Sequence, residues 1–482
     1  MAQQKLEEIR RLRLEKVKKL TQLGINPYPA KAKGERVSVV DASQEGRQAA
    51  IAGRLVGWRE HGNVIFADLS DETGKLQLFF QKKLLGDLYG NLKLVDVGDF
   101  LWAKGKTVRT VAGELSLNVA DFQILSKSIR PLPSNWYGLK DIEDRYRKRY
   151  LDLIFNPKVR EKFNKRTILI REIRKYLDDL GFWEVETPTL QPLYGGANAK
   201  PFKTYHNALD CQFYLRIADE LYLKKLLVGG YEKVYEICKD FRNEGIDQNH
   251  SPEFTMIEYY EAYADYHRVM DVTEGLFKHL AKKVLGSTVL EVGDKKVDIG
   301  KKWPRVTMIE IIKKYLDLDV EKMDGKALLK YCRDNKVELV GGETKGQLVY
   351  SIFEHKVSDL LEDPIWVIDY PQEVSPLSKI NSNKEGWVER FEGYVGGREI
   401  CDGWSELNDP LVQRERFESD VKAVRKDKEE AQQIDEDFIE AMEYGMPPIG
   451  GIGIGIDRLT MFFTNTWSIK EVILYPTLKP SK

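Results

Sequence analysis

Residues 447–463 read Pro-Pro-Ile-Gly-Gly-Ile-Gly-Ile-Gly-Ile-Asp-Arg-Leu-Thr-Met-Phe-Phe, and this stretch constrains the fold more than any other. Alternate residues of a strand share a face, so Ile452, Ile454 and Ile456 are expected on one face and bare glycine backbone on the other. Glycine weakens a strand, so its repetition indicates that a flat group, such as a purine ring, or another packed element lies against that backbone. Arg458 then falls in the first turn of a following helix, where backbone N–H groups and the helix dipole already favour phosphate.

A second stretch, residues 234–260, predicts a β-hairpin with a charged tip. Residues two apart on a strand share a face, so Arg242 and Glu244 are expected to project together, as are Glu258 and Tyr260 on the returning strand. The alternative is a solvated hairpin laced with ion pairs. The density of His, Arg, Phe and Glu residues in this hairpin favours a functional site.

A third cluster, residues 391–409, is rich in carboxylates. Glu392 and Glu399 are candidate ligands of Mg²⁺, which usually takes one or two carboxylates together with substrate phosphates. Carboxylates this close together are costly to bury without cations, so either a metal and a substrate neutralise them or they are exposed. The common nucleotide signatures are missing, since Gln347 stands where a P-loop requires Lys and no G-x-G-x-x-G follows a strand.

The composition is that of a globular protein with more than one domain. The chain has 482 residues, and its 75 Lys and Arg nearly cancel its 76 Asp and Glu, so any basic surface must be local. No apolar stretch of membrane-spanning length occurs, and the basic N-terminus lacks the apolar region of a signal peptide. The four cysteines are scattered and form no C-x-x-C pair. We therefore expect a cytoplasmic protein that neither spans a membrane nor is secreted.

Four segments are predicted along the chain. Residues 1–48 are predicted to form a basic amphipathic helical extension, which either packs on the body of the protein or contacts an RNA backbone. Residues 49–130 contain short β-rich runs between Gly and Asp turns, as in an OB-fold barrel that binds single-stranded nucleic acid through aromatic and cationic groups. The candidates there are Arg59, Phe66, Gln77 and Phe79. Residues 131–155 are a linker, and residues 156–482 form a second domain with a helical insertion at about 305–362.

Several motifs of this second domain, taken in order, resemble those of class II aminoacyl-tRNA synthetases, and in particular of the lysyl-tRNA synthetases. They read Phe-Arg-Asn-Glu-Gly at 241–245, His-Ser-Pro-Glu-Phe-Thr at 250–255, Gly-Gly-Ala-Asn-Ala-Lys-Pro-Phe at 195–202 and Ser-Glu-Leu-Asn-Asp at 405–409. The resemblance runs from the OB-like segment to Pro480. It implies an α+β fold, in which helices flank a mixed, mostly antiparallel sheet, with an N-terminal OB-fold barrel. It also implies ATP-dependent activation of L-lysine, transfer to tRNA(Lys), and a homodimer built by motif 1, which residues 164–188 resemble.

The resemblance also implies roles for individual residues. The catalytic residues would be Arg242, His250 and Arg458. ATP would be bound by Arg242, Glu244, His250, Phe254, Glu399 and Arg458, with Mg²⁺ held by Glu392 and Glu399. Lysine would be bound by Gly196, Glu220, Arg242, Glu258, Tyr260, Asp402, Trp404 and Glu406. The anticodon would be bound by Arg59, Phe66 and Gln77.

The sequence departs from the pattern of the family at four positions. Asp402 and Ser251 stand where Asn is expected, Lys200 stands for Arg, and Asp219 stands where some members have Pro. Asp402 matters most, because an extra carboxylate beside the substrate either repels the carboxylate of lysine or is itself protonated or paired with an arginine.

Two other functions compete with lysine activation. An aspartyl- or asparaginyl-tRNA synthetase shares the layout but needs cationic groups for its substrate, whereas this sequence offers Glu220, Glu258 and Glu406. A non-catalytic RNA-binding relative could keep the fold without the activity, because fold does not fix function. The presence of Arg242 and Arg458 favours an enzyme over such a relative.

Overall fold

The computed structural model describes residues 2–133, 141–422 and 434–480. The chain divides into two compact units, Met1–Lys140 and Asp141–Lys482. None of the helices within the described ranges is both long enough and apolar enough to cross a membrane.

The first unit is a small barrel with an N-terminal helix. Its elements are α1 (Ala2–Gln22), α2 (Val39–Ala42), β1 (Gln48–His61), β2 (Val64–Ser70), β3 (Lys75–Gln81), α3 (Lys82–Leu85), β4 (Phe100–Arg109) and β5 (Leu115–Ser126). The strands close into a barrel in the order β1-β2-β3-β5-β4. The five β-rich runs of the sequence correspond to these five strands.

Alternation along the strands fills the barrel, because one side chain in two points inward. Ile51, Leu78 and Phe80 are fully buried there. Leu20 of α1 belongs to the same core. Arg13 of α1 donates hydrogen bonds to the carbonyl oxygens of Val97, Ser128 and Arg130. The helix is therefore fastened to its own unit by both apolar and basic side chains.

The second unit is a large sheet flanked by helices. Its elements are α4 (Ile142–Arg147), α5 (Arg149–Phe155), α6 (Pro157–Asp179), β6 (Trp183–Glu184), β7 (Leu190–Gln191), β8 (Lys203–His206), β9 (Cys211–Leu215), α7 (Glu220–Val228), β10 (Lys233–Phe241), β11 (Glu253–Ala262), α8 (Tyr266–Leu285), β12 (Val289–Val292), β13 (Lys295–Asp298), β14 (Arg305–Thr307), α9 (Met308–Leu316), α10 (Gly325–Asp334), α11 (Lys345–Lys356), β15 (Ile365–Pro371), β16 (Trp387–Tyr394), β17 (Glu399–Ser405), α12 (Pro410–Lys422), α13 (Glu436–Glu443), β18 (Ile449–Gly455) and α14 (Ile456–Phe463).

Eight strands form the main sheet, in the order β14-β15-β16-β17-β18-β11-β10-β6. Only the pairs at its two edges, β14 with β15 and β10 with β6, are parallel, so the mostly antiparallel sheet expected from the sequence is confirmed. Ile452 and Ile454 of β18 lie in the core together with Leu169 of α6 and Phe277 of α8. Each such burial stabilises the fold by about 1.5–3 kcal/mol. The isoleucine face is thus the packed face, and the glycine face is turned away from it.

The hairpin of residues 234–260 is present, with one correction. Its strands β10 and β11 pair without interruption from Lys233 with Glu261 to Phe241 with Glu253. Arg242 and Glu244 follow the end of β10, so the expectation that they share a strand face is wrong. The backbone N–H of Arg242 donates to the carbonyl of Pro252, which closes the hairpin and leaves the tip as a loop.

Candidate active site

The floor of the site consists of residues that pair across neighbouring strands and therefore share one face of the sheet. One row runs from Arg390 through Trp404 and Gly451 to Tyr260. The next row consists of Glu392, Asp402, Gly453, Glu258 and Glu236. In each row the residue of β18 is a glycine, which has no side chain and lies between neighbours that carry charged or hydrogen-bonding groups.

Above this floor lies a cavity of about 450 Å³. It brings together most of the residues that the sequence singled out. The predicted residues that line it are Gly196, Glu220, Arg242, Glu244, His250, Phe254, Glu258, Tyr260, Glu399, Asp402, Trp404 and Arg458. Glu392 and Glu406 do not line it and are buried behind its wall.

The two central glycines serve different purposes. A Cβ at Gly451 would collide with the ring of Tyr260 and would lie 2.6 Å from Glu406 Oε1, so packing alone excludes a side chain there. A Cβ at Gly453 would meet no atom of the described residues closer than 3.8 Å. The bare backbone at Gly453 therefore faces open cavity, which fits the expectation that a flat group lies against the glycine face.

One end of the cavity is cationic. Arg458 lies in the first turn of α14, where its Nη2 is 3.2 Å from His250 Nε2 and its Nη1 is 3.8 Å from Glu399 Oε2. The other imidazole nitrogen of His250, Nδ1, is 2.7 Å from Asp247 Oδ2. This geometry fits a tautomer in which Nδ1–H donates to Asp247 and Nε2 accepts from Arg458. A helix N-terminus, an arginine and a held imidazole together form a site for an anion.

Arg242 and Phe254 form the neighbouring wall. The guanidinium carbon of Arg242 lies 5.1 Å from the ring centroid of Phe254. Its Nε donates to the carbonyl of Ile217 at 3.4 Å. The pair offers a cation and an aromatic face side by side, a combination suited to a phosphate attached to a purine.

The first turn of α14 is held in place by hydrogen bonds from α6 and β11. Arg166 of α6 bonds to Asp457 Oδ1 at 2.7 Å, and the backbone N–H of Thr255 on β11 donates to Asp457 Oδ2 at 2.6 Å. Asp457 is buried. This buried, charge-assisted network fixes the helix that carries Arg458 relative to the sheet.

The opposite end of the cavity is anionic. The hydroxyl of Tyr260 donates to Glu258 Oε2 at 2.7 Å, and Trp404 Nε1 donates to Glu406 Oε2 at 2.8 Å. Oε1 of Glu406 is buried and has no hydrogen-bond partner among the described residues. Burial raises the pKa of Glu406 to about 8, against the opposing effect of Lys224. A buried acceptor left without a donor indicates that this end is built to receive a cation.

Glu258 is also a buried carboxylate with a raised pKa. Burial, and then the charges of Glu220 and Asp240, raise its pKa to about 8. Asp219, one of the four departures, is fully buried, and its carboxyl group lies close to that of Glu258. Burial, followed by the charge of Glu258, raises the pKa of Asp219 well above its ordinary value. The carboxylates at this end are thus incompletely neutralised by the protein itself.

Asp402 is paired with an arginine. Arg390 Nε donates to Asp402 Oδ1 at 2.9 Å and its Nη2 to Oδ2 at 2.9 Å, while Nη2 also reaches Glu392 Oε1 at 2.8 Å. Burial raises the pKa of Asp402 to about 7, with Arg390 acting in the opposite direction. Of the alternatives that the sequence left open, the structure shows the ion pair, with Arg390 as the partner.

The carboxylates that could hold a metal differ in exposure. Glu392 is buried and accepts hydrogen bonds from Arg390 at 2.8 Å and from the hydroxyl of Tyr394 at 2.5 Å. Glu399 lines the cavity with 41% of its side chain exposed, and desolvation at the cavity wall, followed by the charge of Glu392, raises its pKa. A divalent cation would relieve this repulsion, and hard oxygen donors are what Mg²⁺ prefers. The residues present therefore fit the ion, with Glu399 as the accessible ligand.

The sequence patterns did not identify two basic residues of the site, Arg390 and Lys224. Arg390 precedes Glu392 by two residues and therefore shares its strand face, which is a signal that could have identified it. Lys224 follows Glu220 by four residues on α7, which places the two side chains on one face of a helix. Lys224 Nζ forms ion pairs with both Glu220 and Glu406.

The first unit carries the other predicted residues. The rings of Phe66 and Phe79 are stacked, with centroids 4.9 Å apart and planes at 4°. Arg59 forms a two-pronged ion pair with Asp68, at 2.9 and 3.1 Å. Gln77 is buried and donates from Nε2 to Glu114 at 2.8 Å. The stacked rings are only partly buried, so the barrel presents an aromatic platform flanked by an arginine.

Comparison with known proteins agrees with this arrangement. The sequence model of the family described as class II tRNA synthetases (D, K and N) matches residues 141–479, and that of an OB-fold nucleic acid binding domain matches residues 49–125. A lysine–tRNA ligase of Clostridium botulinum (strain Loch Maree / Type A3) is 46% identical, over 99% of this chain and 97% of its own length. Those of Moorella thermoacetica and Syntrophomonas wolfei are 46% and 47% identical, over 98% of both chains in each case.

Proposed function

The chain belongs to the class II tRNA synthetases (D, K and N), and from this premise we propose that it activates L-lysine with ATP to lysyl-adenylate and transfers the lysyl group to the 3′ end of tRNA(Lys). One observation carries the proposal, namely a cavity with a cationic end at Arg242 and Arg458 and an anionic end at Glu220 and Glu258, behind which Glu406 is buried. The names of the relatives support the same substrate.

The cationic end serves the first chemical step. An oxygen of the lysine carboxylate attacks the α-phosphorus of ATP, a bond to that phosphorus forms, and the bond to the pyrophosphate leaving group breaks. The nucleophile is already an anion, so the step needs positioning and charge neutralisation rather than a general base. Arg242 binds both the carboxylate and the α-phosphate, and Phe254 stacks on adenine beside the backbone of Gly453.

The remaining phosphates are held by Arg458 and His250, with Glu244 in the same ATP site. Glu399, with Glu392 as the buried second carboxylate, would hold Mg²⁺, and the ion when bound would neutralise charge on the phosphates. The contact between Arg458 and Glu399 allows the arginine to move from carboxylate to phosphate at little cost, because the Arg458 side chain is 41% exposed.

The anionic end selects lysine. Gly196 and Glu220 receive the α-ammonium group, and Tyr260, Glu258 and Glu406 receive the ε-ammonium group, with Trp404 and Asp402 in the surrounding wall. A site built to satisfy a buried ammonium rejects a substrate that lacks one, since its carboxylates would stay unpaired. Aspartate and asparagine are poor substrates for the same reason. Pyrophosphate exchange with lysine, aspartate and asparagine tests this proposal: we expect exchange with lysine, and exchange with aspartate or asparagine instead would overturn it.

Removing an aromatic ring from the platform of the barrel should impair the charging of tRNA and leave the activation of lysine intact. Phe66→Ala removes a stacking surface worth about 1–3 kcal/mol per base, so the KM for tRNA(Lys) should rise about tenfold or more. Pyrophosphate exchange without tRNA should stay within twofold of that of the unmodified enzyme. Leu84→Ala, an exposed apolar change in the same unit, is the matched control. Normal charging by Phe66→Ala would remove this residue from the anticodon site.

The raised carboxyl pKa values predict the pH dependence of lysine recognition. Glu258 and Glu406 have pKa values raised to about 8, so below that pH a fraction of each is neutral and cannot pair with an ammonium group. The KM for lysine in pyrophosphate exchange should therefore fall as the pH rises from about 6 to about 8.5, with a smaller change in the KM for ATP. A KM for lysine that is flat or rises over this range would contradict the assigned pocket.

The wider organisation follows the family resemblance. We propose a cytoplasmic homodimer, with a basic helical extension at 1–48, an anticodon-binding domain at 49–130, a linker at 131–155 and a catalytic domain at 156–482 containing an insertion at about 305–362. The exposed apolar residues Trp183 and Leu190 lie in or just after the stretch that resembles motif 1, and their exposure supports a contact with a second copy there.

A further inference from the structure

Lys224 places a positive charge inside the wall of the anionic end. The residue lies on α7 and is buried. Its Nζ forms ion pairs with Glu220 Oε1 and Glu406 Oε2, which belong to different elements of the fold. The rings of Tyr260 and Trp404 each lie 5.9 Å from the same nitrogen. The ammonium group is therefore enclosed by two carboxylates and two aromatic rings.

The two ion pairs of Lys224, which together bridge Glu220 and Glu406, use one carboxylate oxygen of each glutamate and leave the other oxygen without this contact. Glu406 Oε1 is buried without a hydrogen-bond partner among the described residues. Glu220 Oε2 points towards the cavity, 3.9 Å from where a Cβ of Gly196 would stand. Two oxygens thus remain for other cations, and their positions are set by the single nitrogen that holds both carboxylates.

The bridge also controls the charge of the two carboxylates. Burial raises the pKa of Glu220 and of Glu406, and in both cases Lys224 opposes that rise. Burial by itself would lower the pKa of Lys224, but the two glutamates raise it above the ordinary value. Without a cation at this position, two buried like charges would face each other, and one of them would take up a proton.

We propose that Lys224 is a specificity-determining positioning residue, a built-in ammonium group that favours the ionised forms of Glu220 and Glu406 and sets the spacing between the oxygens that receive the α- and ε-ammonium groups of lysine. The inference rests on the proposed function and refines it. Lys224 itself does not contact the reacting atoms. It leaves each glutamate with one oxygen for the substrate, so the pocket accepts two further cations at a fixed separation.

The test compares two neighbouring lysines of α7. Lys224→Met keeps the length of the side chain and removes its charge, and Lys225→Met is the matched control, because Lys225 pairs instead with Asp437 on α13. In pyrophosphate exchange at pH 7 we expect Lys224→Met to raise the KM for lysine about tenfold or more, with the KM for ATP within twofold. We also expect the fall in its KM for lysine with rising pH to be displaced to higher pH than in the unmodified enzyme, because the two carboxylates lose the cation that opposes the rise in their pKa. Lys225→Met should behave as the unmodified enzyme.

Discrimination between lysine and ornithine gives a second readout. Ornithine is shorter by one methylene, so loss of the fixed spacing should lower the ratio of kcat/KM for lysine to that for ornithine. If Lys224→Met does not fold, Lys224→Gln serves instead, because a neutral amide keeps a polar group at this position and removes the charge partner of the glutamates. An unchanged KM for lysine and an unchanged ratio, or an equal loss for lysine and ATP, would overturn the inference. Absence of lysine-dependent exchange in Lys225→Met and in the unmodified enzyme would overturn the proposed function instead.

Discussion

Replacing Arg458 with alanine is expected to abolish ATP-dependent activation of lysine while leaving the protein folded. Arg458 lies in the first turn of α14 beside His250 and Glu399, at the end of the cavity assigned to the phosphates. Removing one preorganised group that stabilises transition-state charge costs about 10²–10³-fold in rate. The measurement is pyrophosphate exchange at saturating lysine, together with thermal unfolding of the same preparation.

The fold should survive because the Arg458 side chain is 41% exposed and its contact with Glu399 is long, at 3.8 Å. Exposed ion pairs contribute about 0–1 kcal/mol. Arg414→Ala is the matched control, since Arg414 also makes an exposed ion pair, with Glu436. Exchange by Arg458→Ala at the rate of this control would remove Arg458 from the phosphate site.

Glu406→Gln is expected to impair lysine recognition without affecting ATP. The change keeps the shape of the side chain but removes the charge that the buried Oε1 offers to an ammonium group. Breaking a buried ion pair by removing one partner costs about 3–5 kcal/mol, so kcat/KM for lysine should fall about 10²–10⁴-fold. Isothermal titration with lysine and exchange kinetics with varied lysine both report this loss.

The control for Glu406→Gln is the same chemical change at an exposed position. Glu436→Gln alters a glutamate that pairs with Arg414 on the surface, and it should leave kcat/KM for lysine within twofold. Retention of normal lysine binding by Glu406→Gln would show that another group receives the ε-ammonium. An equal rise in the KM for ATP would show that the substitution disturbs the whole site.

Local patterns in the sequence were enough to predict the elements that carry the site. The alternation of isoleucine and glycine in β18 predicted a packed face and an open face, and the structure buries Ile452 and Ile454 while Gly453 borders the cavity. Two-residue periodicity likewise placed Glu258 and Tyr260 together, and they are hydrogen-bonded. Such predictions succeed because the period of a strand is a property of the backbone alone.

Predictions that depended on strand ends or on distant partners were less complete. Periodicity does not show where β10 ends, so Arg242 was expected on the strand although it lies in the loop. Asp402 finds its arginine on a neighbouring strand, and this pairing depends on the register of β16 with β17. Glu406 meets Lys224 across elements distant in sequence. Polar partners of this kind are fixed by tertiary packing, which a single sequence does not display.

In the barrel, too, the sequence predicts the strands but not the polar partners of their side chains. Its β-rich runs predict the strands, and the two aromatic candidates among them, Phe66 and Phe79, are stacked in the structure. Gln77 was expected to contact the anticodon, but its amide is buried and bonded to Glu114. Alternation shows which face a side chain takes, and it does not show whether that side chain already has a partner in the protein.

One cavity is assigned both to ATP and to lysine. This assignment can be tested by pyrophosphate exchange with the purified full-length protein, with Mg²⁺ and each of the twenty amino acids in turn and without tRNA. We expect exchange with lysine and none above background with the other nineteen. Exchange with a different amino acid would contradict the assignment of Glu220, Glu258 and Glu406, and the absence of any exchange would contradict the assignment of an activating enzyme.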